Sequence, residues 1–272
     1  HRDLHLSIRR QRQMCIRDRI TIISSGLTEA SHFIKSAGFT KIDELNYGTI
    51  HHSYKFPNIR IITDAKNIKL LTADMANKGN SSLIVSIGFA TSVKAGLNTG
   101  NLVICNNIFS LTGPPAYWSR DSASELTTDA LAREENFQHL LHELRRGPII
   151  GNCLTLPQHT VNTNMKNWIG YRFPVSIIDT DAHHIVEQCK ISEIPCMIIR
   201  SIVDPLPQAT NESISFEVGR ITGKNSLRLF DILLCYPAAI VKALKTATRQ
   251  KEASSSLSAF LLTYANSKLK DK

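Results

Sequence analysis

The sequence predicts an α/β protein whose sheet contains parallel strands. Two stretches carry this prediction: a β-branched run, small-residue loop and amphipathic helix over 20–37, and an apolar run, helix and apolar run over 175–205. Alternation of strands with helices is typical of doubly wound folds, and a helical crossover is expected to make its two strands parallel. At 272 residues the chain is long enough for one large domain and does not require two.

The first nineteen residues differ from the rest of the chain. They hold six arginines against two aspartates, so +4 of the formal net charge of +9 lies there. They have no helical or strand period, and the motif MCIRDR resembles translated adapter sequence. We therefore predict a disordered or foreign extension over 1–19, with an electrostatic arm as the alternative. Residues 20–272 are expected to form a single domain with a helical region over 225–270, and the basic charge does not indicate a nucleic acid partner.

Composition excludes several classes of protein. No apolar run approaches the roughly 20 residues that a membrane span needs, and no apolar stretch typical of a secretory signal opens the sequence. The six cysteines are scattered, without a CxxC pair or a disulfide framework. Buried free thiols in a reducing, cytoplasmic setting are the expected result.

The first half of the chain is expected to alternate strands with helices. The helix over 27–37 should end at Gly38, and the helix over 68–75 should begin after Asp64 as its N-cap. Small residues over 88–92 are interpreted as a loop that follows a buried strand. Before this loop we expect strands over 20–23, 59–63 and 82–87, with a hairpin strand around 47–54. After the loop, strands are expected over 102–105 and 149–156.

The less regular stretches carry fewer signals. A helix is predicted over 127–146, with His139 and His142 three residues apart, but no third metal ligand follows them, so neither a metal nor a cofactor is expected. The stretch 157–167, which contains His159, is a polar loop or short helix. Helices over 227–245 and 253–269, with Pro237 interrupting the first, should pack on the sheet. A partner or peripheral membrane contact is the alternative for their apolar stripe.

Acidic residues follow both strands of the later strand, helix, strand unit. Asp179 and Asp181 follow the strand over 175–178, and Asp204 follows the strand that begins at 196. Ligands of open α/β sheets bind beyond the carboxyl ends of parallel strands, although single acids there are also ordinary helix caps.

Other polar residues near strand ends have two interpretations each. Glu29 is the only carboxylate of the opening loop and first helical turn, and it either stabilises the helix dipole or acts as a base. Gly88 and Ala90 allow a ligand to approach the backbone or serve a tight turn. The opening loop has neither GxGxxG spacing nor a P-loop lysine, which excludes both phosphate-binding motifs.

Three segments together resemble a known family: SSGLTEA (24–30), SIGFATSVKAGLNTGNLVI (86–104) and VSIIDTDAHHIVEQCKISEIPCMIIRSIVD (175–204). Their order and spacing resemble the purine and uridine phosphorylase superfamily, which includes nucleosidases. The resemblance implies a three-layer α/β/α domain with a central mixed, mostly parallel twisted sheet. It also implies a homodimer or larger homo-oligomer that acts on a small-molecule nucleoside. The tail over 223–262 is most similar to the hopanoid-associated nucleosidases, described as acting on adenosylhopane.

The resemblance assigns roles to individual residues. Asp204 matches the acid that protonates or hydrogen-bonds the base, Asp181 the carboxylate that binds the ribose hydroxyls, and Glu29 the carboxylate that activates water. Asp179 is then a turn or capping residue. Apart from the resemblance, Arg200 is expected to pair with Asp204 or a neighbouring acid, as a structural ion pair at the strand end. The remaining residues expected to line the substrate site are Thr180, Gly88, Ala90 and Ser201.

Departures from the family pattern leave two function classes open. Asp181 is one methylene shorter than the family glutamate, and Thr180 replaces a methionine. Thr91 and Ser92 replace a glycine pair, and Asn101 replaces an acid. The chain is therefore either an N-glycosidic enzyme, or a nucleoside-binding or interaction protein with little turnover.

The sequence favours water over phosphate as the second substrate. Phosphorolysis needs a cationic anion site, yet the loops over 24–30 and 88–93 contain no arginine, and Lys94 is the only cation nearby. An arginine from a neighbouring subunit would be the alternative source of a phosphate site.

Overall fold

A computed structural model describes residues 19–78, 81–128, 147–157, 162–206 and 237–270. Several predictions lie outside these ranges: the extension up to residue 18, nearly all of the helix over 127–146 with its two histidines, His159, and the part of the tail over 207–236.

Within these ranges ten strands form one mixed sheet: β1 (Ile20–Ser24), β2 (Thr40–Leu45), β3 (Gly48–His52), β4 (Ile59–Thr63), β5 (Leu83–Ser92), β6 (Leu102–Ser110), β7 (Ser124–Thr127), β8 (Ile149–Thr155), β9 (Ile177–Asp179) and β10 (Cys196–Asp204). Helices pack around the sheet: α1 (Leu27–Ser36), α2 (Ile68–Lys78), α3 (Thr163–Arg172), α4 (Ala182–Ile191) and α5 (Pro237–Lys270). The predicted α/β class with a mixed central sheet is confirmed.

The sheet closes on itself around β5. The strand order is β10-β6-β8-β9-β5-β1-β4-β3-β2, with β7 on β6, and β10 pairs with β5 as well. Strands β5, β10, β6, β8 and β9 therefore form a closed ring, and the remaining strands extend from β5 as an open sheet. Closure leaves the strands of the ring without free edges, so their backbone groups are paired on both sides.

The two strands joined by α4 are not parallel, so this prediction is wrong. β9 pairs with β5 in the antiparallel direction, and β10 pairs with β5 in the parallel direction. β9 and β10 pair with opposite sides of β5, so α4 joins two strands that are not neighbours in the sheet. The helical connection therefore does not require them to run in the same direction. The extent of α4 itself agrees with the sequence.

The small residues over 88–92 do not form a loop, which is a second correction. They continue β5 to Ser92, since Gly88 to Ala90 pair with β10 and the last two residues pair with β9. Partners on both sides hold this segment extended despite its glycine and small side chains. Tertiary pairing has overridden local turn preference.

Smaller corrections concern element ends. Asp64 is not an N-cap: it has a left-handed φ of 54°, and the Asn67 side chain accepts the Leu70 N–H instead. The stretch after α1 holds two paired strands, β2 and β3, where one was expected. Thr127 belongs to strand β7 and does not start a helix.

The C-terminal region is one helix, not two. α5 runs without a break from Pro237 to Lys270, and Pro237 occupies its first position, where a missing N–H costs nothing. Its second half packs on α1 through Leu257, Phe260 and Tyr264, which are all at most 1% exposed. Leu244, by contrast, is 63% exposed, so the predicted apolar stripe does not pack on the sheet at this position.

Two further findings concern the cysteines and the helices of the described residues. Cys105, Cys153, Cys189 and Cys196 are buried and free, which confirms the prediction for these four thiols. None of the helices that the structure describes combines the length and apolar composition needed to cross a bilayer.

Candidate functional site

The carboxyl end of β5 brings the acidic segments together. Thr91 pairs with Ile178 of β9 on one side and with Asp204 of β10 on the other. The carboxyl ends of β9 and β10, which carry the acids, therefore lie on either side of the same end of β5.

Arg200 is the buried centre of this region. It is 1% exposed and lies within β10, opposite Gly88. Its Nε donates to Asp179 Oδ2 at 2.9 Å, its Nη2 to Asp181 Oδ1 at 2.7 Å, and its Nη1 to the Ser86 Oγ at 3.1 Å. The predicted structural ion pair is confirmed, and its partners are Asp179, the last residue of β9, and Asp181, not Asp204.

Gly88 leaves the space in which the guanidinium lies. A Cβ at this position would lie 3.3 Å from Cζ and Nη1 of Arg200. Because Asp179, Asp181 and Ser86 fix the guanidinium, it cannot shift freely. The glycine in the middle of this strand therefore serves a close approach.

Gly88→Ala is expected to lower the free energy of unfolding by about 1–3 kcal/mol, because a methyl group is forced against a fixed neighbour. Urea denaturation checks this. The comparison variant is Gly26→Ala, where a Cβ would have nothing within 4 Å and the backbone φ of −141° is extended, so the only expected cost is the weaker N-cap preference of alanine at the start of α1. A Gly88→Ala protein as stable as the control would contradict the argument.

Asp179 is more than the capping residue that the sequence indicated. It does cap α4, accepting the Ala182 N–H at 3.0 Å, and it also accepts from the Thr155 Oγ1 at 2.7 Å and from Arg200. The residue is 2% exposed. Burial raises the pKa of Asp179 to about 6, and Arg200 opposes this rise.

Asp181 has the opposite electrostatic balance. Its side chain is 32% exposed and accepts hydrogen bonds from Arg200 and from the Ser25 hydroxyl. Burial works against the charged form, but Arg200 and Ser25 outweigh it and hold the pKa of Asp181 below its usual value. Of the two carboxylates that share the guanidinium, Asp181 is therefore the more acidic, and it is the one on the side open to a ligand.

Glu29 faces Asp181 from the first turn of α1. One carboxylate oxygen accepts from the Ser24 Oγ at 2.6 Å and the Gly26 N–H at 3.2 Å, and the other accepts from the Phe89 N–H at 3.3 Å. Burial raises the pKa of Glu29 above the ordinary 4.5, and the charge of Asp181 raises it further, against the bond from Ser24. A carboxylate with a raised pKa is suited to accept a proton near neutral pH.

A cavity of about 170 Å³ lies between these carboxylates. This volume is below the roughly 300–1,000 Å³ typical of small-molecule pockets. Its lining includes five of the residues expected from the sequence, Glu29, Asp181, Thr180, Gly88 and Ala90, together with Ser25, Phe89 and Thr91.

Two expected site residues are not part of this lining. Ser201 is fully buried, and strand alternation directs it to the face of β10 opposite to Arg200; its Oγ has no hydrogen-bond partner among the residues described. Asp204 is 6% exposed, and its carboxylate forms an ion pair with the buried ammonium of Lys166 on α3.

Sequence reasoning missed Lys166 and the role of Ser25. Lys166 lies in the polar stretch NTNMKNW, where nothing distinguishes it from a solvated lysine. Ser25 directly follows β1, and its place in a loop after a strand was a signal that could have indicated a ligand contact.

Comparison with known proteins agrees with this architecture. The family model described as "Phosphorylase superfamily" matches residues 62–236. The futalosine hydrolase of Helicobacter pylori strain 26695 superposes with a TM-score of 0.67 at 14% identity, over 92% of this chain and 98% of that one. The 5′-methylthioadenosine/S-adenosyl homocysteine nucleosidase of H. pylori gives 0.66 at 15% identity, over 92% and 99%. The corresponding nucleosidase of Neisseria meningitidis gives 0.64 at 11%, over 90% and 97%. At these identities the likeness shows a shared fold. No curated protein sequence matches the chain.

Proposed function

We propose a nucleosidase activity for this chain, which belongs to the phosphorylase superfamily: hydrolysis of the N-glycosidic bond of a purine nucleoside, with release of the free base. In this reaction the C1′–N bond breaks and its electron pair leaves with the base, the oxygen of water bonds to C1′, and the proton that the water loses ends on the released base. Positive charge develops on the ribose ring while negative charge develops on the base. Groups that stabilise those charges in the transition state accelerate the reaction.

The proposed roles follow from the two carboxylates that line the cavity. Asp181, with its lowered pKa, stays ionised, accepts from ribose hydroxyls and stabilises the positive ring. Glu29, with its raised pKa, takes the proton of the attacking water. Asp204, which pairs with Thr91 at the end of β5, is assigned to protonate or hydrogen-bond the base. Thr180, Gly88 and Ala90 would contact the sugar.

The observation that carries the choice of water is the charge of the cavity. Two carboxylates line it, and its lining, as far as the structure describes it, includes neither lysine nor arginine. Three groups of the protein, Asp179, Asp181 and Ser86, already occupy the Arg200 guanidinium. A phosphate dianion would meet Glu29 and Asp181 without a cation to balance it, whereas a water molecule carries no charge into the site.

Base release with and without phosphate tests this proposal. Purified protein is incubated with adenosine, methylthioadenosine or inosine in a phosphate-free buffer, and free base is measured by chromatography. We expect release in the absence of phosphate and no rise in rate when phosphate is added. Release that requires phosphate would overturn the choice of water and support phosphorolysis, with a cation supplied from a neighbouring subunit.

A nucleoside-binding protein with little turnover is the second candidate. Asp181 is shorter than the glutamate of the family pattern, and Arg200 and Ser25 hold its carboxylate in place. Misplacement by about 1 Å can cost on the order of 10²-fold in rate. Nucleoside binding by calorimetry without any base release would favour this candidate.

The narrower expectations stay proposals. An adenosyl-lipid substrate rests on the tail over 223–262, of which 223–236 lie outside the described residues. A homodimer or larger homo-oligomer in the cytoplasm rests on the resemblance to the family. Light scattering coupled to size-exclusion chromatography tests the assembly.

A further inference from the structure

The hydroxyl of Ser24 lies between two acceptors. Ser24 is the last residue of β1 and is 2% exposed. Its Oγ lies 2.6 Å from Glu29 Oε2 and 2.5 Å from the carbonyl oxygen of Gly26. A serine hydroxyl carries a single proton, so at any moment it donates to one of these two oxygens and not to the other.

The backbone around this hydroxyl is fixed. Ser24 pairs with Ile87 of β5, and its carbonyl accepts the Ala65 N–H at 3.1 Å. Gly26 is the N-cap of α1, and its N–H donates to the Glu29 carboxylate at 3.2 Å. Rotation about the Cβ–Oγ bond of Ser24 is therefore enough to turn its proton from one acceptor to the other.

The two contacts are hydrogen bonds at the same time only when Glu29 carries a proton. In that state the Ser24 O–H donates to the Gly26 carbonyl, and the proton on Glu29 Oε2 is donated to the Ser24 Oγ. When Glu29 is ionised, its carboxylate has only lone pairs, and the Ser24 O–H donates to it. The separation of 2.6 Å is typical of an O–H···O⁻ bond. Each protonation state of Glu29 thus has its own arrangement of the same hydroxyl.

The other groups around the carboxyl group do not change in this way. Burial raises the pKa of Glu29, Ser24 lowers it, the charge of Asp181 raises it and that of Arg200 lowers it. β1 and β5 bring no titratable side chain to this turn, and α5 packs over it with the Ser254 hydroxyl on the Glu29 carbonyl. Among the described residues, Ser24 is the one whose side chain hydrogen-bonds the carboxyl group of Glu29.

We propose that Ser24 is a positioning residue for Glu29: its hydroxyl donates to the ionised carboxylate and turns to the Gly26 carbonyl when Glu29 takes up a proton. The inference rests on the proposed function, in which Glu29 takes the proton of water and later gives it up. Turning the hydroxyl leaves neither state of the buried carboxyl group without a partner, so the proton is held reversibly. Ser24 keeps its own proton throughout.

A titration of the Glu29 carboxyl carbon by carbon-13 NMR tests the inference without requiring turnover. The full chain is labelled at the glutamate side-chain carboxyl, and the Glu29 signal is the one missing from Glu29→Gln. We expect a midpoint above the ordinary 4.5 in the unaltered chain. Ser24→Ala should raise the midpoint further, by about one pH unit or more, because the ionised form loses a charge-assisted bond. Ser24→Thr, which keeps the hydroxyl, should restore most of the original midpoint.

The carbonyl carbon of Gly26 reports the turning of the hydroxyl itself. In the unaltered chain its signal should shift with the same midpoint as Glu29, because the Ser24 O–H arrives at its oxygen as Glu29 is protonated. This response should be lost in Ser24→Ala. The matched control is Ser36→Ala, which removes an exposed hydroxyl that donates to the His32 carbonyl at 2.7 Å, and it should leave both titrations unchanged.

An unchanged or lower Glu29 midpoint in folded Ser24→Ala would overturn the inference. A Gly26 response that persists in Ser24→Ala would overturn it too, since the hydroxyl would then not be its cause. If circular dichroism shows that Ser24→Ala does not fold, Ser24→Cys, whose thiol is a weak donor, takes its place with the same expectations.

The inference and the proposed function fail separately. Absence of base release from any nucleoside, together with titrations that depend on Ser24, would reject hydrolysis and support the role of the hydroxyl. Base release with titrations indifferent to Ser24 would do the reverse. Where both hold, the fall of kcat/KM on the acid side should move to higher pH in Ser24→Ala by the same interval as the Glu29 midpoint.

Discussion

Glu29→Gln is expected to lower kcat for base release by about 10²- to 10⁴-fold, the contribution typical of a general base. Glutamine keeps the size of the side chain but cannot take a proton from water. It can still accept from Gly26, and it loses at most the bond from Phe89 N–H. The gain from removing a buried acid offsets this loss, so the free energy of unfolding should change by no more than about 1 kcal/mol.

The dependence of activity on pH in the unaltered protein tests the role of Glu29 independently. A base must be ionised, and burial raises the pKa of Glu29 above 4.5. As pH falls, kcat/KM should therefore decrease through a pKa above that of an ordinary glutamate, and this acid limb should disappear from the residual activity of Glu29→Gln. Glu44→Gln, a change at an exposed carboxylate, is the matched control. Retention of full activity by Glu29→Gln would remove Glu29 from the mechanism.

Arg200→Met is expected to destabilise the fold by about 3–5 kcal/mol, because it leaves Asp179 buried without its cation. At roughly 2–4 °C per kcal/mol for a protein near this size, Tm should fall by roughly 6–20 °C. Base release should also fall, since Asp181 loses the group that fixes it and lowers its pKa.

The loss of stability caused by Arg200→Met should depend on pH in a definite direction. The pKa of Asp179 is already raised to about 6 in the folded protein, above the ordinary 3.8, and loss of Arg200 raises it further. Stability from such a group is present at low pH and is lost as pH rises through the folded value. The deficit should therefore be largest above pH 6 and shrink on acidification. A deficit that grows as pH falls would contradict this account.

The control for this experiment is Arg172→Met, at an exposed arginine in the last turn of α3. It should change the free energy of unfolding by no more than about 0.5 kcal/mol. Urea denaturation of both variants over a range of pH values separates loss of the buried pair from loss of one positive charge.

Local pattern was sufficient for many elements of this fold. β1, α1 and α4 lie where residues 20–37 and 182–191 indicated, because their apolar periods, glycines and capping groups act within a few residues. Segments whose partners are distant were harder to predict. The strand character of 88–92 depends on pairing with β9 and β10, and β10 reaches Asp204 because β5 continues beside it.

The sequence by itself determined the α/β class, the two lining carboxylates Glu29 and Asp181, and the acid Asp204 at a strand end. Only the tertiary structure decided how these charges are balanced: Arg200 joins Asp179 to Asp181, and Lys166 joins Asp204. The physical reason is distance along the chain. Lys166 and Asp204 are 38 residues apart, and no local rule links a lysine on one helix to an acid at the end of a later strand. Closure of the sheet around β5 brings such groups into contact, and burial then makes their pairing necessary.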